Sequence, residues 1–150
     1  MIPQNTISNN NEYGIFIGGS SSSVVIQNTY IGLSTNGLNE FGNQEGGIYV
    51  GSAVKSVQIG IREKSQSLPN KIVGNGGNGI TLDGTDGALI EANKLDRNSG
   101  NGVLVANGTR NRIIANRANS NDLYGFKTIG RGRNTLRGNK GVNNKLGLYG

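Results

Sequence analysis

The sequence predicts an all-β solenoid, a chain of short strands wound into stacked coils of roughly 23 residues. The first observation is a fixed period, because Gly79 recurs as Gly102 and Gly125, 23 residues apart each time. The second is that asparagine keeps the same period, as at Asn93 and Asn116. The third is composition: 26 of the 150 residues are glycine, only 2 are proline, and helix-forming runs are scarce. A period kept at several positions indicates a repeat architecture.

Each coil is predicted to contain three short strands. One follows the repeated glycine, as at 102–105, and a second ends on the first repeated asparagine, as at 112–116. The third is a brief extended piece before the second asparagine of the coil. Short apolar runs bounded by Gly, Asn and Ser predict strands and turns. Stacking buries what one coil leaves exposed, and the two predicted inward columns are Ile15, Ile48, Ile80, Val103, Phe126 and Leu148, and Ile90, Ile113 and Leu136.

Asparagine and glycine are predicted to form the corners between these strands, because both accept a positive φ at low cost. Asparagines at matched corners can hydrogen-bond up and down the stack and satisfy buried backbone groups. Asn5 and Asn28 are 23 residues apart and are expected to be equivalent corners of the first two coils. The pattern therefore predicts an asparagine ladder.

We expect one domain spanning 1–150 with about six coils. The period is interrupted near 30–42 and near 61–69, and both stretches are predicted loop insertions, which solenoids tolerate. Asn5 is already in register, and 148–150 stops inside a repeat without the pattern of a capping helix. Open strand edges pair readily. We therefore expect either end-to-end association with a second copy or further coils of a longer parent chain.

Charge and composition exclude several classes of function. The net charge is +6, with four Lys/Arg and six Asp/Glu in residues 1–89 against eleven and three in residues 90–150. A basic half suggests an anionic partner. The chain contains no Cys and no His, which removes disulfides, the usual general base and the commonest transition-metal ligand. No apolar run is long enough to span a membrane.

Two segments resemble known repeats. The segments NKIVGNGGNGI at 70–80 and NGVLV at 101–105 resemble the coils of right-handed parallel β-helix proteins of the pectate-lyase-like superfamily. The insertion at 31–43 is similar to a loop common in its bacterial members. The resemblance implies a right-handed parallel β-helix and favours an extracellular, cell-surface or virion location. It implies no single activity, because the superfamily includes lyases, hydrolases, epimerases, phage tailspikes and surface proteins.

The candidate binding residues are cations that keep the period. Lys71, Lys94, Arg117 and Lys140 each follow the first asparagine of a coil, and Arg110 and Arg133 form a shorter series. Residues one period apart stack in a solenoid, so both series predict columns of positive charge. One interpretation is a track for an acidic polysaccharide such as a uronate polymer. The other is a solvated face on which Lys prevents unwanted sheet pairing.

The acidic residues indicate no cofactor, although calcium stays an alternative. The resemblance implies that lyases of this fold hold calcium with clustered acids and use Arg or Lys as base. The local acids do not share one phase of the repeat; they are Asp83, Asp86, Glu91 and Asp96.

Tyrosines supply the other candidates for chemistry. Tyr124-Gly125-Phe126 resembles a tripeptide of alginate epimerases in which Asp-Pro-His follows, but here Lys127 follows. Tyr30, Tyr49 and Tyr124 lie near predicted loops, which leaves a site built from Tyr and Lys open.

Two functional hypotheses result. The first is a non-catalytic β-helix module, structural or binding acidic polysaccharide, on a surface, secreted or virion protein. The second is a polysaccharide lyase or epimerase, or a degenerate fragment of one. The missing His and the dispersed acids favour the first. Nucleic acid is disfavoured as a partner, because few aromatic side chains accompany the cations of the basic half.

Overall fold

The computed structural model describes residues 4–62 and 67–150, and over these residues the chain consists of strands and turns. The first two coils contain β1 (Asn5–Ile7), β2 (Tyr13–Ile17), β3 (Val25–Ile26), β4 (Thr29–Ile31), β5 (Gly46–Val50) and β6 (Gln58–Ile59). A hairpin follows, made of β7 (Ile61–Arg62) and β8 (Ser67–Leu68). The next two coils contain β9 (Lys71–Val73), β10 (Asn78–Asp83), β11 (Leu89–Glu91), β12 (Lys94–Asp96), β13 (Val103–Ala106) and β14 (Arg112–Ile114). The remaining strands are β15 (Tyr124–Ile129), β16 (Thr135–Arg137) and β17 (Gly147–Tyr149).

Equivalent strands of successive coils pair in parallel and form three sheets. Sheet 1 has the order β1-β4-β9-β12, sheet 2 the order β17-β15-β13-β10-β5-β2, and sheet 3 the order β16-β14-β11-β6-β3. Single bridges at Arg117 and Lys140 carry sheet 1 beyond β12. The predicted all-β solenoid of stacked coils is therefore confirmed, and the described residues form five to six coils.

The three sheets enclose an apolar core. On sheet 2 the pairs run from Ile15 to Ile48, Ile80, Val103 and Phe126, as the period predicts. The second column, on sheet 3, is also present, with Ile90 opposite Ile113 and Ile113 opposite Leu136. Ile48, Ile80 and Ile90 are fully buried. Each such side chain contributes about 1.5–3 kcal/mol when it leaves water.

The sequence was misleading at two positions of the register. The repeated glycine predicts Leu148 in the column of Phe126, but Tyr149 lies opposite Phe126, while Leu148 packs against the core from the neighbouring position. The corner at Asn144 and the pairing of β17 both keep the 23-residue offset, so the repeated glycine comes one position early at Gly147. At the other end Asn5 pairs with Thr29, one residue beyond the predicted Asn28.

Buried asparagines form the corners, and the predicted ladder is confirmed. Asn116 is typical: its side-chain oxygen accepts from the backbone N–H and the side-chain amide of Asn93, at 2.9 and 3.0 Å. Its own amide donates to the carbonyl of Ile90 at 2.9 Å. The corner between sheets 3 and 1 contains Asn70, Asn93, Asn116 and Asn139. The corner between sheets 1 and 2 contains Asn10, Asn43, Asn75, Asn98, Asn121 and Asn144.

The two predicted insertions interrupt this pattern. Residues 33–42 form a loop closed by an antiparallel bridge between Leu33 and Glu40. The second insertion contains the β7–β8 hairpin, and its residues 63–66 lie outside the described residues. That the whole chain is one domain stays a prediction. No helix of membrane-spanning length and hydrophobicity occurs in the part of the chain that the structure describes.

We predict that Asn116→Ala lowers the free energy of unfolding by roughly 2–4 kcal/mol, because it leaves a buried N–H of Asn93 and a buried carbonyl of Ile90 without a partner. Urea unfolding monitored by circular dichroism measures the change. The control is Asn39→Ala at an exposed position, since the bonds between Asn39 and Ser34 use the backbone of Asn39. Equal loss in both variants would contradict this role of the corner.

Candidate functional site

Sheet 1 carries a straight column of cations on its outer face. Lys71 lies opposite Lys94, Lys94 opposite Arg117, and Arg117 opposite Lys140. We call these four residues the basic column. The next residue after each of the first two, Ile72 and Leu95, is fully buried. Because successive side chains of a strand point to opposite faces, the column points away from the core.

Arg117 is anchored by a buried carboxylate. It forms an ion pair with Asp96, whose side chain is only 10% exposed. The second oxygen of Asp96 accepts from the backbone N–H of Asn119 at 3.0 Å. The carboxylate is therefore bonded at both oxygens, and the guanidinium of Arg117 lies above it at the protein surface with a side chain that is 49% exposed.

Lys94 and Lys140 are the free cations of the column. Both are exposed, and neither forms an ion pair with a carboxylate among the described residues. Adjacent strands are about 4.8 Å apart, so neighbouring charges of the column repel by about 1 kcal/mol in water. An anion that lies along the column would relieve this repulsion.

Tyr30 continues the column at its lower end. It lies opposite Lys71, which donates a hydrogen bond to the phenol oxygen at 2.9 Å, and the same nitrogen is 4.4 Å from the ring centroid. This bond, and then one from Gln4, lowers the pKa of the Tyr30 phenol because each stabilises the phenolate. The charge of Lys94 acts in the same direction.

A shallow cavity lies beside the upper half of the basic column. It measures about 250 Å³ and is lined by Ala115, Asn116, Arg117, Gly138 and Lys140. Ala115 and Gly138 form the corner there with φ values of 54° and 66°. Their small side chains leave the space open next to two cations. The volume is below the roughly 300–1,000 Å³ that is typical of ligand pockets for drug-sized molecules.

Arg110 and Arg133 lie away from the basic column. They belong to the turns that join sheets 2 and 3, where the N–H of Arg110 donates to the carbonyl of Arg133 at 2.8 Å. Arg110 also forms an ion pair with Asp86. The two arginines are thus neighbours, as the period predicts, but they form a separate exposed pair.

The candidate acids are dispersed over different elements. Asp83 ends β10 and accepts a hydrogen bond from Tyr49 at 2.8 Å, whereas Glu91 ends β11 on sheet 3. Asp86 and Asp96 are paired with Arg110 and Arg117, respectively. Within residues 4–62 and 67–150 no three His, Cys, Asp or Glu side chains come together as a metal site would require.

Sheet 2 has an outer face of different character. Phe16 stacks on Tyr49 with ring centroids 5.0 Å apart, and Tyr13 lies 5.2 Å from Tyr49. The pKa of Tyr49 is raised, mainly by its hydrogen bond to Asp83, and that of Tyr13 is raised, mainly by burial. This cluster was not predicted, although Phe16 and Tyr49 directly follow Ile15 and Ile48 of one predicted column, which is the signal that could have found it. Tyr124, on the same sheet, lies under Lys127, whose nitrogen is 4.4 Å from the ring centroid.

Three stacked parallel sheets with asparagine corners define the class of a parallel β-helix. A family model described as "Right handed beta helix region" matches residues 1–149. The chain therefore belongs to the right-handed β-helix family, as the resemblance of its repeats implied.

Solved structures agree on the fold. The chain is similar to the periplasmic alginate epimerase AlgG, with a TM-score of 0.64 and 18% identity over 96% of this chain and 38% of that one. A point mutant of AlgG matches with a TM-score of 0.64 and 17% identity over 97% and 40%. The A-module of the mannuronan C-5 epimerase AlgE4 of Azotobacter vinelandii matches with a TM-score of 0.50 and 11% identity over 97% and 54%.

These likenesses establish the fold alone. The chain spans between 38% and 54% of the length of these proteins. No curated protein sequence matches it.

We predict that Tyr30 titrates at lower pH than Tyr13 and Tyr49. Its phenolate is stabilised by the donor Lys71, whereas burial and carboxylates oppose the other two phenolates. Lys71→Met removes the donor and should raise the pKa of Tyr30 toward its ordinary value. Tyrosinate absorbance against pH, compared with Tyr30→Phe to isolate the signal, measures both effects. If the tyrosinate titration curve of Lys71→Met coincides with that of the wild-type protein, Lys71 does not lower the pKa of Tyr30.

Proposed function

We propose that the chain binds acidic polysaccharide, a polymer of uronate units, along the basic column of sheet 1. The observation that supports this most directly is the register, which aligns four cations on the outer face of successive coils. A linear polyuronate carries one carboxylate per sugar. Lying parallel to the stack axis, it meets a cation at every coil or every second coil.

The lysines and the arginine of the basic column have different proposed roles in binding. Lys94 and Lys140 are exposed and unpaired with carboxylates, so they supply point charges that follow a flexible chain. Arg117 is held by Asp96 and presents a planar fork that favours bidentate carboxylate contacts. The cavity next to Arg117 and Lys140 accepts the ring of the sugar whose carboxylate they bind.

The solved structures support the ligand class by analogy. Two different β-helix proteins with this fold are an alginate epimerase and a mannuronan C-5 epimerase, and both polymers are acidic polysaccharides. The first candidate function is thus a β-helix module that binds acidic polysaccharide. Arg110 and Arg133 form a second proposed contact for the same polymer, on the turns between sheets 2 and 3. A secreted, cell-surface or virion protein is the proposed setting.

The second candidate is an enzyme on the same polymer, a lyase or an epimerase. The pair formed by Tyr30 and Lys71 at the lower end of the column favours it. Tyr124 does not favour it, since Lys127 covers its ring where the epimerase tripeptide is followed by Asp-Pro-His.

The test is the affinity for alginate and polygalacturonate by isothermal titration calorimetry, at low and at high salt. We expect salt-sensitive binding, because exposed charges are screened beyond about 8 Å at physiological ionic strength. Lys94→Gln with Lys140→Gln should weaken binding about tenfold to thirtyfold, from up to about 1 kcal/mol for each contact.

The matched control is Arg112→Gln with Arg137→Gln, which removes the same charge from exposed positions on sheet 3. Neutral dextran serves as the control ligand. Equal weakening by both double variants would show a non-specific charge effect and count against the basic column. Binding to dextran or indifference to salt would also contradict the proposal.

A further inference from the structure

Tyr30 is held at the lower end of the basic column from two sides. Lys71 covers one side of its ring and bonds its oxygen. The first insertion approaches the ring at Gly37, where a Cβ atom would lie only 2.7 Å from Cε2 of Tyr30. Gly37 has a φ of +69°, which favours glycine and allows this close approach. The phenol is therefore fixed in place, while the residue stays partly exposed to solvent.

The same arrangement makes the phenol oxygen a usable base. Lys71 donates directly to it, and the charge of Lys94 also favours the phenolate. A general base works best when its pKa approaches the working pH, and here the direction of the shift is toward neutrality. Two ammonium groups on the same column can at the same time neutralise a substrate carboxylate.

We propose that Tyr30 is the catalytic residue of a polyuronate lyase site, at which Lys71 and Lys94 bind the carboxylate of one sugar and Tyr30 removes the proton from C5 of that sugar. The inference rests on the proposed function, because it requires a uronate polymer on the basic column. C5 carries the carboxylate, so its proton becomes more acidic when the two cations neutralise that group.

The step balances without any further reactant. The C5–H bond breaks and its proton passes to the oxygen of Tyr30. The electron pair left on C5 forms a C4=C5 double bond as the C4–O bond to the neighbouring sugar breaks. The departing oxygen takes the proton back from Tyr30, which requires C5–H and C4–O to lie on the same face of the ring, as they do in mannuronate. The products are two shorter chains, one of which begins with an unsaturated uronate, and Tyr30 is again a phenolate.

The proposed site lies on a different sheet from Tyr124, the tyrosine whose tripeptide resembles that of alginate epimerases. Tyr124 lies on sheet 2 under Lys127, whereas Tyr30 lies on sheet 1 in register with the cations that would hold the polymer. Lys71 is a positioning residue in this scheme as well as a carboxylate ligand, since its hydrogen bond orients the phenol.

The experiment measures turnover and affinity on the same polymers: polymannuronate, polyguluronate and polygalacturonate. Ultraviolet absorbance detects the unsaturated uronate. We expect wild type to form this product from polymannuronate, in which C5–H and C4–O lie on the same face, and Tyr30→Phe to lower kcat about a hundredfold to ten-thousandfold, as the loss of a general base does. Binding should change less than twofold, because Phe keeps the ring on which Lys71 packs. Tyr49→Phe, on sheet 2, is the matched control and should keep full turnover.

The pH profile separates a chemical role from a structural one. The rising limb of kcat/KM should follow the pKa of Tyr30 and move to higher pH in Lys71→Met. Binding of polymannuronate without formation of the unsaturated product would overturn this inference and leave the proposed function standing. Product formation that survives Tyr30→Phe would overturn the assignment of Tyr30. If none of the polymers binds at low salt, both the proposed function and this inference are wrong.

Discussion

The structure depends on the hydrogen bonds of its corner asparagines. The side-chain oxygen of each such asparagine accepts from the backbone N–H of the equivalent asparagine one coil earlier, and its amide donates to a carbonyl of that same coil, as Asn121 does with Asn98 and Leu95. Buried backbone groups at a turn otherwise lack partners, and each such loss costs about 1–3 kcal/mol. A corner that satisfies them also fixes the offset between coils. The register of the stack is thus set at the corners, and the strands follow it.

Because the offset between coils is fixed, a residue type that recurs at one position of the repeat forms a column along one face of the stack. Apolar side chains at one phase build the core, as Ile80 and Val103 do on sheet 2. Cations at another phase build the basic column, as Lys71 and Lys94 do on sheet 1. The repulsion within that column is about 1 kcal/mol per neighbouring pair in water, which is small beside the burial that holds the coils. The same geometry therefore stabilises the stack and tolerates a surface suited to a repeating polyanion.

Much of the fold was predictable because the period is unbroken from 79 to 126. The core columns and the neighbours within the basic column followed from counting. The failures have two causes: the repeated glycine comes one residue early at Gly147, and insertions change the number of residues in other coils. Tyr149 displaces Leu148 from the column of Phe126, because the corner at Asn144, rather than the glycine, sets the register. The Tyr30–Lys71 pair joins residues 41 apart across an insertion, so no period pointed to it. The Asn111–Asn134 bond was overlooked although it keeps the period.

The first insertion makes the two ends of the basic column different, which they would not be in a perfect repeat. Gly37 packs on Tyr30, and Glu40 of the same loop forms an ion pair with Arg97, which lies next to the column. The loop thus borders the lower end of the column, where the lowest cation, Lys71, is bonded to the phenol of Tyr30. The upper end holds the exposed Lys140 and the open cavity. A polyuronate bound along the column, as proposed, would therefore meet exposed cations and an open cavity at one end and the Tyr30–Lys71 pair at the other.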